Sequence, residues 1–198
     1  MGKSLLILFL IMLLPYGPLY ASNTSSSQEF RRANDLFAAA KFQDALTLYQ
    51  KLLASPPHGV TVNDIYTRIG DSYFRLGSFH NALDAYRSAL KDQKESLRPE
   101  TQYWIGFCCF LLGRNADAVN EFLRIPERYP GSGMWIGTAY YWAGRASERM
   151  GRTEEAVQYY RKAGGNGRSN QGKFALKKAA AMKGKQEKST NAKAESSK

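Results

Sequence analysis

Few side chains in this 198-residue chain are of the kinds that carry catalysis or hold a metal. There are two histidines, His58 and His80, and two cysteines, Cys108 and Cys109. A metal centre needs several such ligands to converge, and adjacent thiols lack the two-residue spacing with which paired thiolates grip zinc. Neighbouring helical residues point about 100° apart, so the two thiols cannot bridge each other without distorting the backbone. They are read as small buried hydrophobes. The glycines stand singly at the ends of patterned segments, unlike a phosphate-cradling loop. Glu154 and Glu155 open a helix, where carboxylates complement its positive end, and do not indicate a glycosidase pair. No catalytic residue, cofactor or metal is expected.

What the chain holds in quantity is recognition chemistry: 12 Tyr, 10 Phe and 3 Trp beside 28 Lys and Arg. Its placement follows an internal repeat. The first copy reads Ala33, Leu36, Phe37, Lys41, Phe42, Ala45, Leu46, Tyr49, and the second Gly70, Tyr73, Phe74, Gly77, Phe79, Ala82, Leu83, Tyr86. The third reads Gly106, Cys109, Phe110, Gly113, Asn115, Ala118, Val119, Phe122, and the fourth Gly144, Ser147, Glu148, Gly151, Thr153, Ala156, Val157, Tyr160. The anchoring alanines 45, 82, 118 and 156 lie 37, 36 and 38 residues apart. Ala82, Tyr86 and Ala89 are four and three apart and share one helix face. Gly77, Gly113 and Gly151 stand where a first helix must end and reverse. Asn63 and Asp64 suit an N-cap before the second pair, and Pro99 suits the first turn of the third. Pro56–Pro57 and Pro126 with Pro130–Gly131 are read as breaks between pairs. Each copy is a helical hairpin.

Over residues 29–163 this pattern resembles the tetratricopeptide repeat family, most clearly in Ile69-Gly70 with Tyr73, Phe79, Ala82 and Tyr86. Tyr140, Ala143 and Gly144 with Ala156 and Tyr160 match as well, whereas Cys109 stands where the family usually has Tyr. The resemblance implies an all-α, right-handed superhelical solenoid of four helical hairpins, at about 29–56, 63–96, 99–132 and 137–170, plus a C-terminal capping helix. In such a stack the first helix of each pair lines the inside of the curve. Projecting the period onto that face gives a candidate partner groove of Asn34, Phe37, Asp71, Phe74, Arg75, Tyr103, Phe107, Phe110, Tyr141, Arg145 and Arg149, with Phe30, Thr67, Leu111 and Glu148 alongside. Aromatic anchors flanked by Arg and Asn donors are what a peptide groove needs. The same rings are also what packing between repeats would use, and Trp104 and Trp142, one position off the pattern, are read as packing residues.

Lys3 followed by the apolar run Leu5–Leu14, the breakers Pro15, Gly17 and Pro18, and Ala21 describe a secretory signal over residues 1–21. A ten-residue apolar helix of about 15 Å covers about half of a ~30 Å hydrocarbon core, too little for a good permanent anchor. Residues 22–28 are expected to link it to a solenoid with capping helix over 29–182, and 183–198 to form a basic disordered tail. Residues 22–160 hold 16 basic and 15 acidic side chains, whereas 161–198 hold 11 and 2, so the basic charge belongs to the tail. Weak anionic lipid or cell-wall contact is possible chemistry for that tail; nucleic acid is not expected, because no aromatic residue there can stack on a base.

The stretch Arg128-Tyr129-Pro130-Gly131-Ser132 with Ala139-Tyr140-Tyr141-Trp142 is similar to the repeat domain of the periplasmic coordinator associated with the Tol–Pal system. Tyr141-Trp142-Ala143-Gly144-Arg145-Ala146 is similar to the helical part of soluble lytic transglycosylases. Both imply a bacterial periplasmic location. The expected function is a non-catalytic envelope scaffold for a partner protein or peptide. An accessory or degenerate peptidoglycan-processing protein and a self-associating structural protein remain the alternatives.

Overall fold

The structure, a computed structural model, describes residues 17–91, 98–165 and 170–196. Among these the regular elements are all helical: α1 Gly17–Ala38, α2 Phe42–Leu52, α3 Val62–Arg75, α4 Phe79–Ala89, α5 Pro99–Leu111, α6 Asn115–Arg128, α7 Gly133–Arg149, α8 Thr153–Gly164 and α9 Asn170–Ser196. Each helix packs on the next in the chain, and α5 also meets α7. Among the described residues the result is a helical-hairpin solenoid of four pairs closed by α9.

The closeness of each pair depends on one small residue opposite one ring. A Cβ added to Gly70 would lie 2.6 Å from the Tyr86 ring, and one on Gly106 2.8 Å from Phe122. Gly144 faces Tyr160 in the same way, at 2.9 Å. Ala33 fills this place in the first hairpin, fully buried with Tyr49. Ala45, Ala82, Ala118 and Ala156 are likewise fully buried, as the repeat pattern requires. Cys108 and Cys109 are buried free thiols. Burial, followed by the charge of Cys109, pushes the Cys108 thiol up to about 12.

The hairpin turns share one geometry. Gly77, Gly113 and Gly151 adopt φ of +75°, +75° and +72°. In the first hairpin the left-handed residue is Ala40, at φ +59°, not the neighbouring Lys41 that the sequence pattern put at the turn. The N-cap of α3 is Thr61, two and three residues before Asn63 and Asp64. Its hydroxyl accepts from the Asp64 N–H, and the Asp64 carboxylate accepts from the Thr61 N–H at 2.9 Å. Pro99 occupies the first turn of α5 as expected. Pro126 instead lies inside α6, which continues to Arg128 before the chain turns.

Both ends differ from the sequence reading. The apolar run before residue 17 lies outside the described residues, but residues 22–28, expected as a linker, continue α1. Ser26 is buried there and hydrogen-bonds Ser55, while Lys51 pairs with Glu29 at 2.6 Å, so this stretch is tied to the end of α2 and the link after it. The fourth pair starts at Gly133 rather than 137. At the other end α9 runs on to Ser196 through residues expected to be disordered. Ala, Lys, Gln and Glu are strong helix formers even without an apolar stripe. Its first half does the capping: Ala175 and Ala179 are buried with Ala156, Val157 and Tyr160.

Candidate partner-binding face

The first helices α1, α3, α5 and α7 present equivalent positions in register, and tyrosines from the second helices reach through to them. Tyr49 Oη donates to Asn34 Oδ1 and Tyr86 Oη to Asp71 Oδ1, each at 2.8 Å. In the third hairpin both partners are apolar: Phe122 has no hydroxyl, and Phe107 stands where Asn34 and Asp71 stand. In the fourth that place is taken by Arg145, and Tyr160 Oη donates to Glu148 at 2.8 Å, one turn along. Asn34 and Asp71 therefore satisfy buried hydroxyls as well as lining the face.

Burial sets the electrostatics of these pairs. It pushes the Tyr49 hydroxyl up to about 12, and raises Tyr86 and Tyr160 too, with the carboxylates beside them adding to the effect. Burial also raises Asp71, against the opposing hydrogen bond from Tyr86 and the charge of Arg68. At Glu148 burial acts upward but loses to the hydrogen bonds from Lys178 and Tyr160, which hold the carboxyl below its ordinary value. Lys178 Nζ of α9 lies 2.7 Å from Glu148, so this carboxylate also fastens the capping helix.

The candidate aromatics form a connected wall. Phe74 meets Trp104 at 4.9 Å between ring centroids, and Tyr103 meets Trp104 at 5.2 Å. Phe107 lies 5.7 Å from Tyr103 and 4.6 Å from Trp142. Tyr141 is 5.6 Å from Trp142 and 6.1 Å from Phe174 of α9. Phe37 stands apart, edge-on to Phe42 at 5.2 Å. Phe74, Tyr103, Phe107 and Tyr141 are half-buried and keep part of each ring on the face. Phe110 is only 3% exposed and belongs to the core, contrary to its place in the projected groove. Burial of Tyr103 against Trp104 and Phe107 pushes its hydroxyl up to about 12. Trp104 and Trp142 pack between hairpins as the pattern indicated.

The arginines divide by role. Arg149 sits 3.6 Å above the Phe110 ring and donates to the Phe110 carbonyl at 3.0 Å, so it stitches the fourth hairpin to the third. Arg75 lies 4.9 Å over Phe42 of the first hairpin. Arg145 is half-buried, with Nη1 3.4 Å from Tyr141 Oη and Nε 4.0 Å from Glu148. Between Arg75 and Arg149 in register stands Leu111, 38% exposed at the open edge of the wall.

A cavity of about 450 Å³ opens at the N-terminal end of this face, between α1, α3 and α5. Phe30, Thr67, Asp71 and Trp104 line it, together with Asp64, Arg68, Arg98 and Glu100, which the sequence projection did not pick out. Glu100 lies three and four residues before Tyr103 and Trp104, so the helical period alone would have placed it on the same face. His58 and His80 are exposed and play no part in the face. Among the described residues no three His, Cys, Asp or Glu side chains converge as metal ligands would.

Comparison with known proteins now decides the family. Tetratricopeptide-repeat profiles match residues 67–133 and 137–163. The chain is a tetratricopeptide-repeat protein. The first hairpin precedes the matched residues, but carries the same register through Ala33, Ala40 and Tyr49. A tetratricopeptide repeat protein from Parabacteroides merdae superimposes with a TM-score of 0.68 at 18% identity, covering 82% of this chain and 61% of that one. A MamA crystal structure gives 0.57 at 20% identity, covering 79% and 96%. The C-terminal part of a repeat protein from Cytophaga hutchinsonii gives 0.56 at 19%, covering 68% and 50%. These likenesses concern the fold. No curated protein sequence matches the chain. Tetratricopeptide solenoids are typically non-catalytic, and this one is a protein-interaction scaffold.

Proposed function

We propose that the chain is an exported envelope adaptor that holds a segment of one partner protein along the face of its first helices. The observation that carries this reading is the half-buried aromatic wall from Phe74 to Tyr141, with Leu111 exposed at its edge. Such a wall offers apolar anchors in a concave scaffold, while the charged groups of α3, α5 and α7 supply orientation. The signal-like residues 1–21 support export, and no helix among the described residues is long and apolar enough to cross a membrane. N-terminal sequencing of the envelope protein should give a mature chain beginning at Ser22. Full-length chain in the cytosol contradicts export.

The partner reading is tested by crosslinking and affinity capture from an envelope fraction. Leu111→Glu places a charge on the wall without touching the core, and should abolish capture while leaving the helical circular dichroism unchanged. Capture equal to wild type moves the interface elsewhere.

Charge asymmetry favours one accessory role. Residues 161–198 carry nine net positive charges beside a nearly neutral solenoid, and α9 extends most of them as one helix. We infer weak contact between that helix and anionic lipid or wall polymer, screened strongly above the ~8 Å Debye length of physiological salt. Equal cosedimentation with sacculi or anionic vesicles by full-length protein and a truncation after Met182, at low salt, rejects it.

A further inference from the structure

The cavity at the N-terminal end of the first-helix face specifies what chemistry the partner brings; this inference rests on the partner-binding reading above. Its volume of about 450 Å³ falls in the ~300–1,000 Å³ range of pockets that hold small ligands or side chains. Three hairpins build it, so it exists only in the assembled solenoid. Among its described lining residues the charges do not balance. Asp64 is occupied by its own cap and by Arg98, which pairs with it across hairpins. Asp71 accepts from Tyr86 and has Arg68 3.6 Å away, with that arginine's side chain about half exposed. Glu100 has no ion pair among the described residues, and its charge is felt at both Asp71 and Tyr86. Among its described lining residues three carboxylates thus stand against two guanidiniums, and the carboxylate without an ion pair, Glu100, is exposed while Asp71 is half-buried.

An anion entering there would meet the exposed Glu100 carboxylate and, behind the mouth of the cavity, the half-buried Asp71. A cation would relieve both. It would also find the rings of Phe30 and Trp104, which attract a cation most when it is desolvated. We propose that this cavity binds the cationic side chain of an arginine or lysine in the partner segment, with Glu100 and Asp71 supplying charge and Trp104 and Phe30 supplying ring surface. The remainder of the segment then runs along the aromatic wall toward Leu111. Partners with a basic residue ahead of an apolar stretch are selected, and acidic segments are rejected at the first contact.

The test uses the intact mature chain and N-acetyl-arginine amide, with N-acetyl-citrulline amide and N-acetyl-glutamate amide as comparisons. Citrulline keeps the shape of arginine and removes its charge. The Trp104 indole N–H resonance, assigned with a Trp104→Phe variant, should move saturably with the arginine compound. Affinity should be about tenfold or more above that for citrulline, corresponding to ~1.4 kcal/mol. Glu100→Gln should remove that difference while leaving the melting curve unchanged. Equal binding of citrulline, binding of the glutamate compound, no Trp104 shift, or undiminished arginine binding by Glu100→Gln each overturns the proposal. Partner capture by Leu111→Glu separates the two readings. Lost capture without arginine binding refutes the cavity alone. Arginine binding with full capture by Leu111→Glu refutes the wider groove alone.

Discussion

Ala40→Gly should stabilise this protein, and the size of the effect can be worked from the four turns. Ala40 is exposed, and its φ of +59° lies in the left-handed region that costs an L-residue ~1–2 kcal/mol. The equivalent residues Gly77, Gly113 and Gly151 occupy the same region without a Cβ. The turn hydrogen bonds do not depend on the side chain: Ala40 N–H reaches the Phe37 carbonyl at 3.0 Å, as Gly77 N–H reaches that of Phe74 at 3.0 Å. Glycine therefore keeps every bond and loses no packing. Against this stands the greater freedom of glycine in the unfolded chain, ~0.4–1 kcal/mol. The net is a gain of about 0.5–1 kcal/mol, or about 1–4 °C in Tm for a domain of this size. Thermal and urea unfolding by circular dichroism measure it, with Gly77→Ala as the reverse case, expected to lose about 1 kcal/mol. An unchanged or lower midpoint for Ala40→Gly refutes the reasoning, because it means that the first turn pays no strain for its methyl group.

Other perturbations test other layers. Gly106→Ala drives a Cβ to 2.8 Å from the Phe122 ring and should cost ~1–3 kcal/mol in urea unfolding; an unshifted midpoint contradicts the close approach of α5 and α6. Arg149→Ala removes the guanidinium over Phe110 and the bond to its carbonyl, and should lower stability by about 1 kcal/mol, where a free groove residue would change nothing. Glu148 has a folded pKa below its unfolded one, so its contribution is present above the ordinary carboxylate range and is lost as pH falls through the depressed value. Glu148→Gln should therefore flatten the acid limb of the stability profile below about pH 5; an unaltered limb rejects the Lys178–Glu148 fastening of α9.

The hairpins were legible in the sequence because each is a local object. Gly70 opposite Tyr86 and Gly106 opposite Phe122 lie 16 residues apart in both cases, and the helical period places them face to face. Ala40 was missed at the first turn because a left-handed alanine breaks the propensity that marks the other three with glycine. The face was legible as a set of positions but not as a set of roles. Arg149 reaches the ring and carbonyl of Phe110 in the hairpin before it, and no within-repeat period reveals which arginine will find a ring. Phe110 and Phe107 are three residues apart, yet one is core and the other wall, a distinction made by the rings of neighbouring hairpins. The cavity draws Phe30, Asp64 and Glu100 from three different hairpins, so only the stacked structure brings them together. The α9 extension was hidden for a different reason: propensity without an apolar stripe is a weak signal beside a composition typical of disorder.

Site-specific photocrosslinking in the native cell tests most directly whether the first-helix face holds the partner. A photoreactive residue at Leu111 or Thr67 should give one discrete adduct of the same partner, and one at Thr47, Asn120 or Gln158, exposed on the second helices, should give none. Adducts confined to the second-helix positions, with Leu111 and Thr67 silent, would contradict the assignment of the face.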